Sequence, residues 1–179
     1  EVNLPKELAE LGENAFANCT SLTRIEIPAG INRLPERAFA DCTGLREVIF
    51  SDGTEELGPF SFTGCTSLMS VKFPGTLTDI NEGVFSGCSA LTEVTLPEGL
   101  YRIGSDSFMR CTSLERVSIP RSVGNMGWAV FSSCRNLQSL EYGGTASDWY
   151  RIIKCGKWHE DAGRVTIVCT DQTIYDEFE

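Results

Sequence analysis

Six cysteines recur at a constant step of 23 residues: Cys19, Cys42, Cys65, Cys88, Cys111 and Cys134. Three positions before each stands a phenylalanine (Phe16, Phe39, Phe62, Phe85, Phe108, Phe131). Three positions after each stands a leucine (Leu22, Leu45, Leu68, Leu91, Leu114, Leu137). Other apolar columns hold the same register. One is Ile25, Val48, Val71, Val94, Val117, Leu140; a second is Ile27, Phe50, Phe73, Leu96, Ile119, Tyr142; a third is Leu11, Leu34, Leu57, Ile80, Ile103, Met126. Self-similarity at a fixed period of roughly 20–50 residues is the signature of a solenoid, in which each repeat buries its apolar face only against its neighbours.

One unit is enough to predict the coil. In Leu22-Thr-Arg-Ile-Glu-Ile-Pro28 the apolar Ile25 and Ile27 flank Glu26, the period of a half-buried strand. Pro28 lacks an N–H and belongs at the strand's end. Ala29-Gly30 reads as a turn, and Ile31 and Leu34 point inward again. Glu36 to Cys42 then reads as about two helical turns with Ala38, Phe39 and Cys42 on one face. The expected strands lie near residues 2–4, 25–27, 48–50, 71–73, 94–96, 117–119, 140–142 and 165–168. Eight rungs at about 4.8 Å make a stack roughly 35 Å long.

These columns resemble the BspA-like leucine-rich repeat family. The match runs residue by residue through Leu91-Thr-Glu-Val-Thr-Leu-Pro97, Leu100, Ile103-Gly104 and Ser107-Phe108 with Cys111 and Leu114. The resemblance implies a leucine-rich repeat solenoid with parallel strands on the concave face and short helices or 3₁₀ turns on the convex face. It implies a secreted or surface-attached protein, similar to those of bacteria and some parasitic protists that are often adhesive. Residues 1–145 read as the solenoid and 146–179 as the closing segment of the same domain, a helix plus a strand. Thr145 or Ser147 caps the helix, Trp149, Ile152 and Ile153 face inward, and Gly156 ends it. Arg164 to Cys169 reads as the last strand, and Cys169-Thr170-Asp171 resembles the family's closing stretch. At the other end Val2, Leu4 and Pro5 hold strand register, so that end calls for further repeats before Glu1 or for a covering partner. Asp171 to Glu179 is expected as a solvated acidic tail, unless Ile174, Tyr175 and Phe178 fold back onto the last coil.

Charge narrows the function classes. The 179 residues carry 15 Lys and Arg against 25 Asp and Glu, a net charge of -10, which argues against nucleic acid and anionic membranes as partners. No apolar run approaches the roughly 20 residues of a spanning helix, so no direct membrane insertion is expected of this segment. The ladder cysteines read as small buried hydrophobes expected to be free thiols, because a 23-residue step offers no Cys-x₂₋₄-Cys metal knuckle. Cys155 and His159, the only histidine, invite a thiol–imidazole reading. Gly156 interrupts the helix that would align them, no orienting carboxylate is identifiable, and no glycine-rich oxyanion turn flanks Cys155. No catalytic, metal or cofactor residue is assigned.

The remaining information lies in exposed positions. Between the two strand columns the outward residues are Asn3, Glu26, Ile49, Lys72, Thr95, Ser118 and Glu141. With a second outward column they form a mixed-charge ribbon without an aromatic stripe, which does not favour a sugar platform. The leading expectation is a noncatalytic module of a secreted or cell-surface bacterial protein. It would bind a protein, of host or matrix type, through Glu26, Ile49, Lys72 and Thr95, with Ile49 as the apolar contact. Phe60, Tyr101 and Trp128, large residues in otherwise polar or small columns, form a rival convex footprint. The alternatives are a structural spacer with no ligand and, remotely, a thiol enzyme using Cys155 and His159.

Overall fold

The computed structural model of the chain describes residues 2–162 and 164–175. In chain order the first strands are β1 (Arg24–Ile27), β2 (Arg33–Leu34), β3 (Glu47–Phe50), β4 (Glu56–Leu57), β5 (Ser70–Lys72), β6 (Asp79–Ile80) and β7 (Glu93–Thr95). There follow β8 (Arg102–Ile103), β9 (Arg116–Ile119), β10 (Asn125–Met126), β11 (Ser139–Tyr142), the helix α1 (Ala146–Arg151), β12 (Ile153–Lys154), β13 (Thr166–Val168) and β14 (Thr173–Tyr175). The odd-numbered strands from β1 to β13 are the expected rungs. Except between β5 and β7, each pairs parallel with its neighbour, as Ile25 does opposite Val48 and Leu140 opposite Val117. The chain is a parallel-strand solenoid.

A second ladder runs down another side. The two-residue strands β2, β4, β6, β8, β10 and β12 pair in parallel as one six-stranded sheet. Its inward column, Leu34, Leu57, Ile80, Ile103 and Met126, is fully buried. The sequence marks these positions as inward without marking them as strand, because two residues are too few to show a period of two.

The turn side corrects the helical reading of Glu36 to Cys42. These residues form successive turns, and the backbone takes the left-handed conformation at Arg37 and again at Asp41. The same two columns are left-handed along the stack, through Asn14, Phe60, Gly83, Asp106 and Ala129, and through Asn18, Gly64, Gly87, Arg110 and Ser133. A helix cannot pass through such residues. The compensation is hydrogen bonding between coils. The N–H groups of Arg37, Phe39 and Asp41 donate to the carbonyls of Pro59, Ser61 and Thr63 in the next coil, while Ala40 and Cys42 donate back to Arg37 and Phe39. Alternate groups thus satisfy the neighbour and the local turn, as buried backbone requires.

Inside, Phe16, Phe39, Phe62, Phe85, Phe108 and Phe131 form a column of stacked rings with centroids 5.2–5.6 Å apart. Each ladder thiol from Cys42 onward donates to the carbonyl of the phenylalanine in the preceding coil, as Cys42 does to Phe16 at 3.0 Å and Cys134 to Phe108 at 3.0 Å.

The C-terminal segment is a seventh coil enlarged by an insertion. Met126 pairs with Lys154, 28 residues on instead of 23, and α1 takes up the extra length. Thr145 caps α1: its hydroxyl accepts from the Asp148 N–H, and the Asp148 carboxylate accepts from the Thr145 N–H. Those bonds hold the Asp148 carboxyl below its ordinary pKa. Trp149 is buried edge-on against Tyr142 and Trp158. Two details differ from expectation. The helix ends at Arg151, before Gly156, and Ile153 is 62% exposed because it extends the short-strand ladder with its side chain outward. Lys157 and Asp161 repeat the left-handed pair, and the Phe131 N–H donates to the Trp158 carbonyl as Phe39 does to Ser61. His159 therefore occupies the repeat position of the stacked phenylalanines.

The two ends also differ from expectation. Residues 2–4 form no strand: Val2 is exposed and Leu4 half-buried, so ordering that rung would gain little apolar area against its backbone entropy. Beyond Asp171 the chain is not a solvated tail throughout. Thr173–Tyr175 pairs antiparallel with β13, and Ile174 packs against the core. Phe178 lies outside the described residues.

Candidate functional site

The strands place three of the four expected contact residues in one outward file and the fourth at the head of another. Glu26, Ile49 and Lys72 are direct partners across β1, β3 and β5. Thr95 begins a second run, Thr95, Ser118, Glu141, Val168, across β7 to β13. Glu26, Lys72 and Thr95 are exposed and Ile49 is half-buried. Beside them the adjacent outward column neutralises itself: Arg24 pairs with Glu47 at 2.8 Å, and Arg116 pairs with Glu93. The short-strand ladder does the same, with Arg102 on Asp79 at 2.8 Å and Arg33 on Glu56 at 3.4 Å. Such exposed pairs contribute about 0–1 kcal/mol each. Their consequence is a surface of alternating sign with little net field.

The rival residues do not act as one cluster. Phe60 is half-buried, with its ring over Gly83 of the next coil, where an added Cβ would fall 2.3 Å from Cδ1 of Phe60. Tyr101 lies over Gly124 in the same manner but keeps 58% of its surface exposed. Trp128 is 49% exposed. Local packing thus accounts for Phe60 and for one face of Tyr101.

The thiols divide into two environments. Burial pushes Cys42 up to about 11 and Cys65 up to about 12, and raises Cys88 and Cys111 as well. A thiol held protonated this way is neither nucleophile nor metal ligand. All eight cysteines are free. Cys155 stands exposed after β12, whereas His159 is buried with its ring 3.8 Å from that of Trp158. Among the described residues no three His, Cys, Asp or Glu side chains gather where they could hold a metal ion. Among them, too, no helix is long and apolar enough to cross a membrane.

One feature escaped the sequence reading. The strand face is continuous except between β5 and β7, which belong to different sheets. At that place Val71 and Phe73, members of otherwise buried columns, are half-buried. Met69 stands beside them, 61% exposed, in a column that is otherwise Thr23, Arg46, Thr92, Glu115 and Gln138. That apolar exception was the available signal.

The repeat geometry agrees with the comparisons. The BspA type leucine rich repeat region matches in six copies over residues 1–89 and 39–151. The chain belongs to this family. A leucine rich cell surface protein of Faecalibacterium prausnitzii superposes with a TM-score of 0.71 at 31% identity, over 84% of this chain and 37% of that protein. The leucine rich repeat protein of T. pallidum superposes with a TM-score of 0.65 at 24% identity, over 82% of this chain and 73% of its own. The pneumococcal vaccine antigen PcpA shares the fold at 13% identity and a TM-score of 0.62, over 82% of this chain and 41% of that one. This chain thus spans well under half of the Faecalibacterium protein. No curated protein matches.

Proposed function

We propose that the chain is a noncatalytic, adhesion-type protein-binding module of a secreted or cell-surface bacterial protein. The observation that carries this reading is the outward file of Glu26, Ile49, Lys72 and Thr95 on a rigid strand face. A stable complex needs about 800 Å² per partner, and the strand face over seven rungs supplies an area of that order. Its alternating charges favour orientation and modest salt dependence over raw affinity. The cell-surface relative in Faecalibacterium supports the compartment. Thiols held protonated in the core, and the burial of His159 away from solvent, support the noncatalytic part.

The test is surface plasmon resonance against a panel of host extracellular-matrix proteins. Ile49→Glu and Lys72→Glu are expected to weaken binding about tenfold or more, with Trp128→Ser near wild type. Normal binding by the strand-face variants with loss in Trp128→Ser would move the footprint to the turn side. A second reading, a spacer without a ligand, is favoured by the self-neutralised ion pairs along both ladders. Uniform tolerance of alanine at every exposed position would select it.

A further inference from the structure

The interruption between β5 and β7 has a chemistry of its own. Along the stack the residue before each strand donates to the coil before it, Arg46 to Thr23, Met69 to Arg46, Glu115 to Thr92 and Gln138 to Glu115. Among the described residues no such bond joins Thr92 to Met69. The core reports the same opening. Val48 and Val94 are buried while Val71 between them is half-buried, and Phe50 and Leu96 are buried while Phe73 is half-buried. With exposed Met69 and half-buried Ile49, four apolar side chains edge a gap in a polar ribbon. Lys72 stands at its centre. It is the one cation in its outward file, its strand partner Ile49 and the next outward residue Thr95 are uncharged, and it makes no ion pair among the described residues.

We infer that this gap anchors an extended segment of a partner protein that presents a large apolar side chain beside a carboxylate. The inference rests on the protein-binding reading of the strand face and specifies what that face recognises. The apolar side chain covers exposed Met69 and half-buried Ile49, the strand partner of Lys72. Met69 is unbranched and polarisable, suited to closing over varied shapes. The carboxylate meets Lys72, in an acidic protein whose cations in the adjacent outward column, Arg24 and Arg116, are already paired.

A random 12-residue phage-displayed peptide library, panned on the immobilised protein, tests the inference. Enriched sequences are expected to place Asp or Glu beside Leu, Phe or Trp. A synthetic peptide of that pattern should lose about tenfold or more in affinity to Met69→Ser and to Lys72→Glu, and none to Trp128→Ser. Both target side chains are exposed, and an unchanged urea midpoint verifies that the variants fold. Enriched peptides without the acidic–apolar pattern, or peptides that bind both variants like wild type, overturn the site. Peptides that instead fail on Trp128→Ser overturn it while leaving a binding module. No enrichment at all also overturns it, and the module reading then stands on the matrix-protein measurement alone. Self-association by sedimentation equilibrium that Met69→Ser abolishes would make the occupant a second copy, again overturning the inference.

Discussion

The stacked phenylalanines give the sharpest energetic prediction. Phe85 is fully buried between Phe62 at 5.6 Å and Phe108 at 5.4 Å, with Phe73 edge-on at 5.8 Å. Phe16 has one stacked neighbour at 5.2 Å and is only half-buried. Leucine keeps most of the volume, and such swaps cost below about 1.5 kcal/mol when aromatic geometry is not at stake. Each aromatic pair adds about 0.5–1.5 kcal/mol beyond area. Three pairs at Phe85 therefore place Phe85→Leu at about 2–4 kcal/mol, and one pair at a wetter site places Phe16→Leu at about 1 kcal/mol or less. Urea unfolding followed by circular dichroism and by tryptophan fluorescence reads both, provided the slope is unchanged. In thermal unfolding the central variant should fall by about 5–15 °C. Equal, small losses at the two positions would show that the rings serve only as volume, and the stacking argument would fail.

Two further outcomes follow from the cap and the thiols. Trp149→Ala removes a side chain buried against Tyr142 and Trp158 and should cost about 3–5 kcal/mol in the same assay; a neutral effect would refute a closing role for α1. At pH 8 Ellman's reagent should titrate Cys155 quickly and leave Cys42, Cys65, Cys88 and Cys111 until unfolding, because burial raises those four thiols; rapid reaction of all eight, or ladder disulfides by mass spectrometry, would contradict it. The sign of the pH dependence follows. A thiol with a raised native pKa contributes stability that is complete below its unfolded value near 9 and is lost as pH rises through about 11–12. The urea midpoint should therefore decline above pH 9.

Much of the fold was legible because the columns are redundant. Six copies of Phe-x-x-Cys-x-x-Leu establish period, register and core composition together, and the predicted strands from residues 25–27 onward fall within a residue or two of those observed. The turn side was misread for a definite reason. Ala38, Phe39 and Cys42 satisfy helical spacing, but spacing reports which residues face inward, not the sign of φ. The column Asn18, Asp41, Gly64, Gly87 carried a left-handed preference, but Arg37, Phe60, Arg110 and Ala129 in the same two columns obscured it. Hydrogen bonds to the next coil stabilise that conformation, and these are invisible within one unit. The C-terminal β14 escaped for a similar reason: Thr173–Tyr175 has one inward residue, too little pattern to announce a strand.

The candidate site was half legible. Position in the repeat identified Glu26, Ile49, Lys72 and Thr95 as outward, but it treated the seven rungs as equivalent. They are not, since the ladder breaks between β5 and β7 while repeat length stays at 23 on both sides. A strictly periodic solenoid presents the same surface at every rung and cannot fix a partner's register. One interrupted rung, with Met69 in place of a polar residue and Lys72 in no ion pair among the described residues, supplies the reference point. Departures from local consistency tend to mark functional positions, because elsewhere each choice agrees with the fold. Stability and recognition would then separate along the stack, the phenylalanine column holding the rod and the irregular rung addressing its partner. Restoring the polar column tests that separation. Met69→Thr, which restores the polar column, should leave the urea midpoint nearly unchanged yet weaken any partner seated on Lys72. A variant that instead gains or loses several kcal/mol would tie the irregularity to folding and remove its claim on recognition.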